Sequence, residues 1–96
     1  MGQHTIHHEK RDNGGRFVID LPGDMEAEMT YRFRNATSIV IEHTGVPNKF
    51  EGRGIAKELV VEGVRAARHN GWKIEPLCPY VALQFRRHSE WNDVVY

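Results

Sequence analysis

The sequence predicts a mixed α+β fold: an antiparallel four-stranded meander, then one β-α-β unit and a C-terminal helix. Two observations carry this. Up to about residue 45 the apolar residues recur with period two, as in "MEAEMTYRFR". Beyond residue 54 they recur with the period of a helix, and a short apolar run follows the helix stop.

Each element can be justified in order. "TIHHEK" is a weak first strand, and "RFVIDL" a second, with Phe17, Ile19 and Leu21 inward. The third puts Met25, Ala27, Met29, Tyr31 and Phe33 on one face and Glu26, Glu28, Thr30, Arg32 and Arg34 on the other. That is the mark of a half-buried antiparallel strand. In "TSIVIEHT" strict alternation groups Ile39, Ile41 and His43, with Val40 and Glu42 opposite. Turn residues separate these runs: Asp12-Asn13-Gly14-Gly15, Pro22-Gly23-Asp24 and Asn35. Such short connections favour hairpins. Ala56, Val60, Gly63, Val64 and Ala67 then form one helical stripe, and Asn70-Gly71 stops the helix. "WKIEPL" follows as a strand, and a strand-helix-strand order implies a parallel pair. Pro79 suits the first position of a second helix reaching about His88. "SEWNDVVY" is either a short last strand or a docked tail.

Composition narrows the function. Ninety-six residues make a single domain, 1–96. Thirteen basic residues balance thirteen acidic ones, so no global field attracts nucleic acid. No apolar run approaches the ~20 residues of a membrane helix. "MGQHTI" has neither a signal-peptide core nor the Ser or Thr of a myristoylation site. Cys78 is the only cysteine, which excludes an internal disulfide. A cytoplasmic monomer is the expectation. His4, His7 and His8 lack the spaced partners of a metal set, so no metal is expected. "FRRH" is a solvated helix face, and Trp72 and Trp91 are packing residues.

The segment "HTGVPNKFEGRGIAKELV" (43–60) poses the chemical question. Gly52 and Gly54 precede a helix whose first turns carry Arg53 and Lys57, with Lys49 nearby. Cations are mildly unfavourable at the positive end of a helix dipole. Either they point into water, or the helix start holds an anion against its unpaired N–H groups. Neither the Walker spacing nor the dinucleotide G-x-G-x-x-G is present, since Lys57 stands at the third glycine position. Glycines before a helix support both a phosphate cradle and a plain turn.

Three blocks resolve this by resemblance: His43-Thr44 with Val46-Pro47, then Gly52-Arg53-Gly54-Ile55-Ala56, then Pro76-Leu77-Cys78-Pro79-Tyr80. Their order and separation resemble the small single-domain, YjdJ-type branch of the GCN5-related N-acetyltransferases over residues 16–91. The resemblance implies a minimal acetyltransferase fold of this kind, acetyl-CoA as cofactor and an amine as acceptor. It implies that backbone amides of Val46 and of Gly52, Arg53, Gly54, Ile55, Ala56 and Lys57 hold pantetheine and pyrophosphate. Phe85 and Arg87, on the second helix, would flank the coenzyme, and an amide near Thr44 or Val46 would face the carbonyl oxygen. Lys49 replaces the usual Arg or Gln, and Gly45 stands where this branch often has a larger polar residue.

The order of elements also brings the ends of the fourth and fifth strands together, so His43 and Cys78 are expected side by side. An imidazole at position 43 suits an acid/base role, or it simply caps the core edge. Glu42 falls on the opposite face. Cys78 precedes Pro79 at a helix start, a position that suits a reactive thiol. It either lines the thioester pocket during direct transfer, takes the acetyl group covalently, or is a small buried thiol. Two functions remain: an acetyl-CoA-dependent N-acetyltransferase using His43 and Cys78, or a coenzyme A-binding or protein-interaction module with little or no catalysis.

Overall fold

The computed structural model describes residues 4–96. Its strands are β1 (Ile6–Arg11), β2 (Gly14–Leu21), β3 (Met25–Asn35), β4 (Ser38–Gly45) and β5 (Lys73–Pro76). They form one sheet in sequence order, antiparallel from β1 to β4 and parallel between β4 and β5. The short loops account for the meander, because a hairpin returns each strand beside its predecessor. A three-residue loop joins Leu21 to Met25 with Gly23 and Asp24 at positive φ. At the next hairpin, Asn35 Oδ1 accepts hydrogen bonds from the Thr37 amide and hydroxyl.

One face of the sheet carries the core. Phe17, Ile19, Ala27, Met29, Tyr31, Ile39, Ile41 and Ile74 are buried there. Two helices cover them: α1 (Ile55–Asn70) and α2 (Pro79–Arg87). Leu59, Val60, Val64 and Ala67 of α1 join the same cluster as Val81 and Phe85 of α2. Fully burying such a side chain stabilises the fold by roughly 1.5–3 kcal/mol. The C-terminal segment forms a 3-10 turn (Ser89–Val94) that buries Trp91 and Val94. Val95 then makes a single parallel bridge to Ile74. The tail is thus docked and also extends the sheet by one residue.

The other face is charged. Arg16 binds Glu9, Glu26 and Glu28; Arg32 binds Glu42; Arg34 binds Glu75. Val18 and Val40 belong to this face by register and stand outside the core cluster. Both helices therefore bury their stripes on one side, leaving the opposite side of the sheet without a helix among the described residues.

One departure from strict alternation decides the site. Tyr31 pairs with Ile41, but Thr30 pairs with His43. Glu42 is the extra residue of a β-bulge, and a bulge reverses the faces of all residues beyond it. His43 consequently joins Thr30 on the charged face, and Thr44, opposite buried Met29, turns toward the helices. The expected grouping of His43 with Ile39 and Ile41 is corrected by this bulge.

Candidate active site

The site begins where β4 and β5 part. Their pairing ends at Ile41 and Pro76. The Ile41 carbonyl accepts hydrogen bonds from both the Leu77 amide, at 3.1 Å, and the Cys78 amide, at 3.0 Å. The chain then turns into α2, with Cys78 as its N-cap and Pro79 in its first turn. β4 continues to Gly45, paired only with β3. A bulge and a divergence thus leave a notch at the end of the sheet.

The chain after β4 closes one wall of this notch. A 3-10 turn at Asn48–Phe50 buries the Phe50 ring, and the Phe50 amide donates to the Pro47 carbonyl at 2.8 Å. The glycines follow. Gly52 has φ +79° and Gly54 φ +78°, left-handed values that disfavour any side chain. No atom lies within 4 Å of where a Cβ would stand on either, so conformation rather than crowding selects glycine. The backbone is open to a ligand there.

α1 starts immediately. Its first regular bond runs from the Glu58 amide to the Gly54 carbonyl at 3.1 Å, and no side chain caps the end. The amides of Ile55, Ala56 and Lys57 accordingly have no acceptor within the helix. Glu58, the acidic residue of the first turn, engages the His4 amide and ring. Lys49, Arg53 and Lys57 are exposed around the helix start, and the Arg53 guanidinium lies 5.4 Å from the centre of the Phe50 ring. The helix dipole and these cations favour an anion.

Between the glycine loop and α2 lies a cleft of about 360 Å³. Thr44, Val46, Gly52, Gly54, Ile55 and Ala56 line it, all residues that the sequence reading put against the cofactor. Phe50, Glu51 and Tyr80 line it too, and that reading left them out. Tyr80 was legible in one respect: it follows Pro79, so it had to stand in the first turn of α2. Burial pushes its phenol above the usual value, opposed by the nearby charge of Arg87. The group is a hydroxyl donor at neutral pH.

The other sequence-predicted residues fall elsewhere. Arg53 and Lys57 stand around the helix start and do not line the cleft itself. Phe85 is buried, its ring edge-on to Trp91 at 5.4 Å, so it acts as core. Arg87 is exposed at the end of α2. Cys78 is buried, with its thiol 3.8 Å from the Thr44 hydroxyl. Thr44 lines the cleft and Cys78 does not. His43 is exposed on the helix-free face. The expected His43–Cys78 juxtaposition is thus corrected: the bulge presents Thr44 to the thiol instead.

His7, His8 and His88 have structural partners. His8 Nε2 lies 2.6 Å from the Tyr31 hydroxyl, and its ring stacks on Phe17. His7 faces Asp20 at 3.4 Å. Among the described residues no three His, Cys, Asp or Glu side chains gather as a metal set, and no helix is long and apolar enough to cross a membrane.

A mixed sheet thus splays beside a glycine-led helix start. Residues 16–94 match the profile of the family described as GCN5-related N-acetyl-transferase, and the chain belongs to that family. A solved structure agrees: the solution NMR structure of a GCN5-like protein from Staphylococcus aureus, proposed to be an N-acetyltransferase. It is 32% identical and superposes with a TM-score of 0.73, covering 100% of this chain and 91% of the other. Among curated proteins no significant match is found.

Proposed function

We propose that the protein is an acetyl-CoA-dependent N-acetyltransferase that passes the acetyl group directly to an amine. The observation that supports this most is the cleft itself. It joins the end of β4, the glycine loop and the first turn of α2 in one surface. The loop and helix amides fit a pyrophosphate: donors without acceptors, two glycines with open Cβ positions, and cations nearby.

Bound acetyl-CoA would supply an activated thioester. The chain's residues would do the rest. The amine must lose a proton, and His43 on the helix-free face is the group suited to take it. A β4 amide near Thr44 or Val46, beyond the pairing with β5, would face the carbonyl oxygen as it gains charge. The Tyr80 hydroxyl, held protonated by burial, would supply a proton on the cleft side. Cys78 would stay a packing partner of Thr44, because it is buried and outside the cleft lining. The absence of any described helix over the outer face leaves the acceptor side open, which suits an exposed amine. It is also the observation that favours a coenzyme-binding module of low activity. A cytoplasmic monomer is proposed on the lone free thiol and the balanced charge.

Calorimetric titration with coenzyme A, followed by an acetyl-transfer assay over a panel of primary amines, tests this. Micromolar binding with transfer is expected. Absence of binding at millimolar coenzyme would overturn the reading, and binding without transfer to any amine would favour the module.

A further inference from the structure

Gly45 ends β4 opposite Glu28. It is not among the glycines with positive φ, so any residue could adopt its backbone. What another residue could not do is leave the space empty. A Cβ at position 45 would lie 2.9 Å from His43 Nε2, 3.6 Å from Cε1 and 3.9 Å from Cδ2. The three nearest atoms all belong to one imidazole. This follows from the bulge, because residues 43 and 45 lie beyond it, two apart on the same face. Among the described residues, no hydrogen bond or ion pair holds the His43 ring. The ring occupies the space that a side chain at position 45 would need.

That space is at a particular place. Thr44 and Val46, the neighbours of Gly45, both line the cleft on the helix side. Gly45 stands between these two cleft-lining residues, and the His43 ring lies beside it on the helix-free face.

Resting on the acetyltransferase reading, we propose that Gly45 is a positioning residue for His43. Its missing side chain lets Nε2 settle against the strand where an incoming amine reaches the thioester. Gly45→Ala would displace the ring, which is the movable end of a flexible side chain, at little cost to the fold.

The test compares Gly45→Ala, His43→Gln and the double variant. In Gly45→Ala we expect kcat to fall roughly ten- to hundredfold, with the KM for acetyl-CoA, the coenzyme A affinity and the melting temperature unchanged. The His43 Hε1 resonance should move and the acidic limb of the pH–rate profile should shift. In the His43→Gln background the same change should have no further effect on kcat. Equal losses in both backgrounds, an unmoved Hε1 resonance, or full activity in Gly45→Ala would each overturn the positioning role while leaving the enzyme reading intact. A wild-type protein that binds coenzyme A yet acetylates no amine would overturn the enzyme reading, and this role with it.

Discussion

The thiol of Cys78 lies 3.8 Å from the hydroxyl of Thr44, across the gap where β4 and β5 separate. The thiol is buried and Thr44 forms the cleft surface. A covalent route through sulfur would need this arrangement to open. Cys78→Ala is therefore expected to keep transfer within a few-fold of wild type while losing about 1 kcal/mol of stability from the vacated volume. Intact mass after incubation with acetyl-CoA should show no acetylated protein intermediate. A trapped acetyl-cysteine would establish the covalent route instead.

Gly54 and Gly71 form a matched pair with separable roles. Their φ values are +78° and +72°, and no atom crowds the Cβ position of either. Alanine at each should cost about 1–2 kcal/mol by strain in the left-handed region. Gly54 caps the start of α1 and Gly71 its end. Only Gly54→Ala should also weaken coenzyme A binding, by about tenfold or more, because it alters the loop that presents the amides. Paired thermal melts and calorimetry on the two variants separate the effects.

Tyr80→Phe keeps the ring in the cleft and removes the hydroxyl. The phenol is raised by burial, so it is protonated across the neutral range. A loss in kcat of about 10²-fold is expected if it acts as the proton donor, with little change in coenzyme affinity. A normal kcat in this variant would assign the leaving-group proton to solvent.

His8 gives a pH dependence of stability unrelated to catalysis. Burial holds its pKa below 6.5, reinforced by Lys10 and Arg65 and opposed by Glu62. The unfolded chain therefore binds more protons than the folded one just below that value, so stability rises with pH there and drops as the solution is acidified. The contribution is intact above about pH 6.5 and is lost as pH drops through the lower folded value. Urea melts at pH 7.5 and 5.0 should show a larger loss for wild type than for His8→Gln. An equal loss in both would place the titrating group elsewhere.

Arg16 is shared by Glu9, Glu26 and Glu28 on the helix-free face. Their hydrogen bonds raise its pKa and hold Glu9 below the usual carboxylate range. Arg16→Met would leave three carboxylates facing one another. Its melting temperature should be lower than wild type at low salt, and most of the difference should vanish in 0.5 M NaCl as screening lengths shrink to a few ångströms. A salt-independent loss would point to packing of the arginine stem.

Much of this molecule was legible from local chemistry. Alternation marked β3 nearly residue for residue, since its neighbours demand one wet and one dry face. The helix stripe and Asn70-Gly71 marked α1, because turn and cap preferences act within a few residues. The glycine loop was legible for the same reason: positive φ is a property of single residues. The family resemblance of the blocks around it supplied six residues of the cleft lining. Phe50 and Tyr80 were hidden, because whether an aromatic ring in a loop or first turn faces a cavity depends on what packs around it.

The sequence by itself determined the order of elements, the place of the glycine loop and the family. Only the tertiary structure decided which side of the sheet each β4 residue serves. Strict alternation put His43 with Ile41, and the pairing of β4 with β3 inserted Glu42 as a bulge and turned His43 outward. Register is settled by how β4 pairs with β3 across their hairpin, so alternation read along β4 alone could not reveal the bulge. The same bulge brought Thr44 to Cys78 and laid the His43 ring over Gly45.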